Sequence, residues 1–371
     1  MEISWRAVVG RRMRRHYLGG TGASTPVDAV RAMCGAHAQV LSAGELSVAL
    51  RVEDATRETV QQADGLVKSF GPRGTVHLLP LDDLPLWCGA LSALPSRTTV
   101  PDIMRMTPEQ TAEVIAAIGE ALAEDDLTVD ELTDEVVRRT GPWAGDPVMP
   151  AFQGDWPRWR QAISDAANAG VLCYGPNRGR NTTYSNPHRF KPFEPLPDEK
   201  AITELLHRYL YAYGPATPQQ FARWLKTTPA VVTPYFEDLP QVELAGQPAW
   251  HAPGDDEFPD EPVRGVRLLP YFDAYGVGSF PRELLFPGEA FTRALARGQA
   301  GNYPLLLIDG IVGGVWHQKK SGRKLHVTVE PLTDLKRGQL KQLDAEVDRL
   351  GAVLDAVPTL TVGKVEVGPH A

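Results

Sequence analysis

The stretch DATRETVQQADGLVKSFGPRGTVHLL, residues 54–79, carries three instructions in one window. Polar helix formers run to Ala63. LVKSF and TVHLL then alternate as half-buried strands do, and Gly71-Pro72-Arg73-Gly74 between them has the residues that reverse a chain. The order is helix, then hairpin, and it recurs twice. WPRWRQAISDAANAG (156–170) precedes VLCYG and a strand near TTYS, with the basic tip PNRGRN between them. PAVVTPYFEDL precedes QVEL and AWHA, joined by Ala245-Gly246-Gln247-Pro248.

Helix starts recur as well. Thr25-Pro26-Val27-Asp28, Thr107-Pro108-Glu109-Gln110 and Thr217-Pro218-Gln219-Gln220 each place Thr as N-cap, Pro at the first helical position and an acid or amide at the third. Thr128-Val129-Asp130-Glu131 and Ser42-Ala43-Gly44-Glu45 read as capping boxes. Helices followed by a hairpin make the winged-helix arrangement, which lays a helix in the DNA major groove and a hairpin against the backbone. From residue 263 the texture turns to strands: VRLLPYFD, PLLLIDG, IVGGVWHQ and KLHVTVEP. A helix with Leu340, Leu343, Val347, Leu350 and Leu354 on one stripe follows, then a last strand in TLTVGKVEV. The expected fold is α+β: winged-helix units over 1–100, 101–196 and 197–262, and a β-rich, barrel-like domain over 263–371.

The net charge of −8 argues against a nucleic-acid partner until its distribution is considered. Residues 101–135 hold eleven Asp and Glu against the single Arg105, and GDDEFPDE (254–261) is acidic too. Basic residues gather in RRMRR (11–15), from Arg158 to Lys191, and in KKSGRK (319–324). This predicts an acidic back and a basic face, or solvated charge on unrelated surfaces. Cys34, Cys88 and Cys173 are too scattered for a disulfide framework or a zinc knuckle and read as buried apolar residues. No apolar run approaches the roughly 18 residues that span a bilayer, and the opening residues lack a signal-peptide core, so a cytoplasmic location is expected. Hydrolase elbows, phosphate loops and zinc-protease signatures are missing.

FGPRGTVHLLP (70–80), GPATPQQFARW (214–224) and LLPYFDAYGVG (268–278), in this order over nearly the whole chain, resemble the tandem winged-helix DNA glycosylases typified by AlkZ and YcaQ. The resemblance implies a C-shaped molecule around a concave DNA-binding face. It also implies a monomer acting on double-stranded DNA that carries alkylated purines, with no metal or organic cofactor and no obligate protein partner. Family members carry a catalytic Gln-x-Gln or Gln-x-Asp segment just before the second helix of the first unit. Here His37-Ala38-Gln39 stands there, a version similar to the branch whose members resemble self-resistance enzymes removing bulky N7-alkylguanine adducts. Tyr271 occupies a position where the family tends to have an acid, and Asp273 is left without an assigned role.

The residues themselves agree. Gly35 is a suitable left-handed end for the helix begun at Thr25, and Ser42 begins the next. In an extended link, residues two apart point the same way. His37 and Gln39 then share one small target, such as a water molecule, while Ala38 faces inward. The competing reading makes His37 a helix-end cap and Gln39 a partner of a nearby carbonyl. Candidate DNA contacts are Arg73 on the first wing, Arg178 and Arg180 on the second, and Gln318, Lys319, Lys320, Arg323 and Lys324 on a basic hairpin. Trp156 and Trp159 are expected in a core. No lysine is assigned as a Schiff-base nucleophile, which predicts a monofunctional glycosylase. A winged-helix transcription regulator, needing no catalytic pair, is the alternative.

Overall fold

The computed structural model describes residues 1–95, 100–150, 154–259, 261 and 263–369. Asp260 of the acidic stretch, the expected domain boundary at Pro262 and the last two residues of the β-rich part lie outside the described residues. The chain forms two compact units, Met1–Leu66 with Leu206–Ala371, and Val67–Leu205.

In the first unit, Glu2–Ile3 pairs in parallel with Gln241–Leu244, which pairs antiparallel with Gln247–Trp250. The third expected hairpin is therefore present, joined by a strand from the chain start that local pattern did not foresee. Ser4 accepts from the Ala7 N–H at 3.1 Å and starts helix α1, Trp5–Arg15. RRMRR lies at its end and is not a solvated basic patch. Arg11 and Arg12 are only 2% and 1% exposed. Arg11 and Arg15 both pair with Asp255 from the acidic stretch, and the Arg12 guanidinium reaches the Pro215 carbonyl and covers the Trp5 ring. Burial pushes the Arg11 and Arg12 guanidinium pKa values down to about 10.

The strands Val266–Leu269, Leu305–Ile308, Ile311–Ser321, Lys324–Pro331 and Val357–Val362 form one sheet in that order. The pairing is antiparallel except between the last two strands. No strand joins the two edges among the described residues, so the sheet is a curled half-barrel and not a closed barrel. Leu269, Leu305, Leu307, Val312 and Val315 fill its core with Tyr275 and Phe286. The helix Arg337–Val353 buries Leu343, Val347 and Leu350 as expected, but Leu340 falls off the stripe and is 39% exposed.

The second unit packs Val114, Ile118, Leu132, Val136, Leu172 and Tyr184 around a fully covered Trp159. Trp156 is 43% exposed instead of buried, with the Arg160 guanidinium 4.0 Å above its ring. Val76–Pro80, Leu66–Phe70, Cys173–Tyr174, Thr183–Ser185 and Leu127–Thr128 are neighbours in this order in one sheet. Both expected hairpins of this region are thus formed. A further hairpin, Pro147–Pro150 with Asp155–Pro157, was not foreseen. Thr107, Thr128 and Thr217 cap their helices as the sequence predicts. All three cysteines are buried thiols, and no described helix is long and apolar enough to cross a membrane.

Candidate active site

Helix α2, Pro26–Ala32, starts where expected, the Thr25 hydroxyl accepting from the Asp28 N–H at 3.1 Å. It ends in a complete Schellman pair: the Gly35 N–H donates to the Val30 carbonyl and the Cys34 N–H to the Arg31 carbonyl, each at 3.0 Å. The left-handed position is taken by Cys34 at φ 52, with Gly35 following at φ 92. The Tyr213 hydroxyl donates to the Met33 carbonyl at 2.6 Å and pins this end from the interior. The chain then runs through the short strand Ala36–His37 into helix α3, Leu41–Ala49.

The start of α3 departs from expectation. Val40 is its N-cap and makes no side-chain cap hydrogen bond, so Ser42 and Glu45 do not form a capping box. Glu45 is instead buried, accepting from Arg57 Nε at 2.9 Å and Gln61 Nε2 at 3.0 Å. Two ionic and amide donors from outside the helix outcompete one local backbone N–H. Gly44 serves a different purpose. A Cβ there would stand 2.7 Å from the His37 carbonyl oxygen, so only glycine lets α3 lie against the His37-Ala38 backbone.

On the link, Ala38 is fully covered, as predicted. Gln39 is exposed, whereas His37 is 9% exposed and its imidazole stacks on Phe272, centroids 4.7 Å apart at 28°. The two candidate side chains therefore differ: Gln39 lies at the surface, whereas His37 is buried with its ring against Phe272.

Beneath this surface lies a cluster that the sequence did not assign. Arg51 and Asp273 form a bidentate ion pair, both bonds 2.8 Å, with each side chain fully buried. The Ser47 hydroxyl donates to the same carboxylate at 2.6 Å, and the Tyr275 N–H donates to it at 3.0 Å. Burial alone would raise the Asp273 carboxyl pKa. Arg51, Ser47 and the Tyr275 N–H outweigh burial and hold it below the usual carboxylate range. Asp273 is thus an anchor, remote from solvent. Nearby His16 is fully buried against the Ala212 carbonyl, and burial followed by the Arg51 charge pushes its pKa down to about 3. The only signal for Asp273 was its place in LLPYFDAYGVG. Nothing pointed to Arg51, Ser47 or Gly44. A cavity of about 430 Å³ beyond the other end of α3 is lined by Ala49, Glu53, Arg267 and Arg349 among others, and does not include the link.

The candidate DNA contacts are dispersed. Arg73 is half-buried in the turn between the first hairpin strands at φ 66. Arg178 pairs with Glu131 at 2.9 Å, bracing the capping box of the helix Val129–Thr140, while Arg180 is exposed. These three belong to the second unit. The basic hairpin is in the first, with Gln318 facing Val327, Lys319 facing His326 and Ser321 facing Lys324 across a Gly322-Arg323 turn. Lys320 Nζ donates to the Leu354 carbonyl at 2.6 Å, at the end of the helix Arg337–Val353. Arg323 lies 3.5 Å from Asp355 with both side chains largely in solvent, and Lys319 and Lys324 are exposed.

Comparison with known proteins identifies the class: this is a DNA glycosylase. The profile described as DNA glycosylase AlkZ-like matches residues 30–353, and the chain belongs to that family. An interstrand DNA cross-link repair glycosylase of Streptomyces sahachiroi is 32% identical over 369 residues, covering 93% of this chain and 95% of the relative. The solved structure of Streptomyces sahachiroi DNA glycosylase AlkZ matches with a TM-score of 0.82 at 29% identity, covering 98% of this chain and 100% of that one. An enzyme, not a regulator without activity, is therefore the outcome, and the family resemblance stands.

Proposed function

We propose that this glycosylase hydrolyses the N-glycosidic bond of N7-alkylated purines in duplex DNA, bulky guanine adducts in particular, with His37 and Gln39 as its catalytic residues. The observation carrying this is the link itself. Ala38 is buried between them, and the flanking side chains belong to a segment fixed at both ends by the Schellman pair and by Gly44. A side-chain pair held on rigid elements suits a reaction in which positioning supplies most of the rate. The name of the cross-link repair relative, which concerns large covalent DNA lesions, supports a bulky adduct.

The chemistry follows from the lesion. Alkylation at N7 makes the guanine cationic, so it departs as a neutral base and leaves an oxocarbenium-like sugar. Little acid catalysis is required. What the enzyme must supply is a water placed under C1′ and a group to take its proton. His37 accepts that proton, and the Gln39 amide oxygen orients the water. The helix-and-hairpin groupings over 1–100, 101–196 and 197–262 serve as winged-helix readers of the duplex, with the β-rich part over 263–371 adding its basic hairpin. Arg73, Arg178, Arg180, Gln318, Lys319, Lys320, Arg323 and Lys324 supply phosphate contacts, and the protein acts as a monomer without a cofactor.

The test is a duplex carrying N7-alkylguanine, incubated with the protein and then heated in alkali to break the strand at any abasic site. Wild-type protein is expected to yield breaks at the lesion. His37→Ala and Gln39→Ala are each expected to lose about 10²- to 10⁴-fold in rate while lesion binding changes only a few-fold. Undiminished excision by both variants removes the assignment.

A further inference from the structure

Phe272 holds a backbone conformation, φ 55, that non-glycine residues seldom occupy and bulky ones least of all. Such conformations persist only where the surroundings impose them, and they gather at functional sites. Several features impose this one. The Phe272 N–H donates to the Gly301 carbonyl at 2.9 Å. Gly301, at φ 104, leaves space where a Cβ would stand 2.9 Å from Phe272 Cδ1. The next residue, Asp273, is gripped by Arg51 and Ser47. The ring so presented is the one that stacks on the His37 imidazole. Helix α3 and the turn after it touch both parts, Gly44 against the His37 backbone and Ser47 with Arg51 on Asp273.

We propose that Phe272 is a positioning residue for hydrolysis, fixing the plane of the His37 imidazole, and that Asp273 acts at one remove by holding Phe272. This rests on the catalytic reading of His37. The terminal torsion of a histidine is broad and roughly two-fold, so the backbone of the link does not by itself aim the ring nitrogen at a water. Offset stacking on an aromatic face restricts that torsion. Phe272 is partly exposed, so it can be replaced without opening the core, whereas Asp273 cannot.

Full-length Phe272→Leu, Phe272→Gly, Phe272→Tyr and His37→Ala are compared with wild type in single-turnover excision from a duplex bearing one N7-methylguanine. Binding to the same duplex and thermal melting are measured in parallel. The Gly variant removes the whole side chain and relieves the backbone, whereas Leu removes the aromatic face and keeps the backbone as it is. Leu and Gly are expected to slow excision by about 10- to 100-fold, the scale of a small misplacement of a catalytic group. Their affinity for the duplex is expected to stay within about twofold, since a group acting only on the chemical step lowers the rate without touching ground-state binding. Tyr, which keeps the ring, is expected to restore most of the rate. Wild-type rates in Leu and Gly beside an inactive His37→Ala overturn the positioning role and leave the catalytic assignment intact. Full activity of His37→Ala overturns both. Rate losses in Leu and Gly accompanied by equal losses of binding or of melting temperature make Phe272 merely structural and also overturn the proposal.

Discussion

The His-x-Gln link and the basic hairpin belong to the same compact unit and are built on opposite plans. The link is over-determined: two positive-φ residues end α2, a glycine admits α3, and a fully buried ion pair fixes the loop beneath. The hairpin at Lys319–Lys324 holds Lys319, Arg323 and Lys324 in solvent, and its Arg323–Asp355 pair is 79% and 86% exposed. The difference matches the roles proposed for the two. A water aimed at one carbon demands geometry, and geometry is kept by desolvated, mutually satisfied groups. Phosphates along a duplex demand only charge, which works at the end of a flexible stem.

Breaking the buried side of this contrast has the larger effect. Asp273→Ala leaves Arg51 charged and unpaired in the interior, and the expected loss is about 3–5 kcal/mol of stability, read by denaturant melts. A loss below about 1 kcal/mol, the usual worth of an exposed pair, erases the distinction between the two regions.

Acid sharpens it next. The folded-state pKa of His16 is about 3 against 6.5 in the ordinary state, so below 6.5 the unfolded chain takes up a proton that the native one refuses. Stability therefore falls as pH drops from 6.5 toward 3. The Asp273 carboxyl, held below its ordinary 3.8, adds a further loss only beneath that value. Melts across this range are expected to show the first decline near pH 6.5, and His16→Phe is expected to flatten it. A profile that stays level down to pH 4 in wild type contradicts a buried, neutral His16.

The hairpin gives the smallest effect. Lys319→Gln with Lys324→Gln is expected to leave stability within about 0.5 kcal/mol. It is expected to weaken duplex binding and lower the salt dependence of affinity by about one unit of slope per lost phosphate contact. An unchanged salt slope takes the hairpin off the DNA-binding surface.

What was legible in the sequence was local. Thr25, Thr107, Thr128 and Thr217 cap helices because capping is decided within four residues. The Gly71–Gly74 turn and the alternating strands around it were equally self-contained, as was the burial of Ala38. The errors came wherever a distant partner intervened. Glu45 has the spacing of a capping box, but Arg57 and Gln61 draw it inward. RRMRR looks like a surface patch, yet Asp255, some 240 positions away, pairs with Arg11 and Arg15. Leu340 has the period of a buried stripe but sits in the first turn of its helix, where the core does not reach. The catalytic candidates were found by family resemblance, since His-x-Gln alone has no distinctive spacing. Their support in Phe272, Asp273 and Arg51 rests on three-dimensional neighbours that no local pattern encodes.

The anchoring pair joins residues 222 positions apart in the chain. During synthesis, Arg51 leaves the ribosome long before Asp273 has been translated. A nascent polypeptide therefore carries the His-x-Gln link without the carboxylate that seats the loop under it, and premature termination upstream of Asp273 releases a product in the same condition. The buried charge of Arg51 is thus matched only late in translation, so this part of the interior closes after nearly three quarters of the chain has been made.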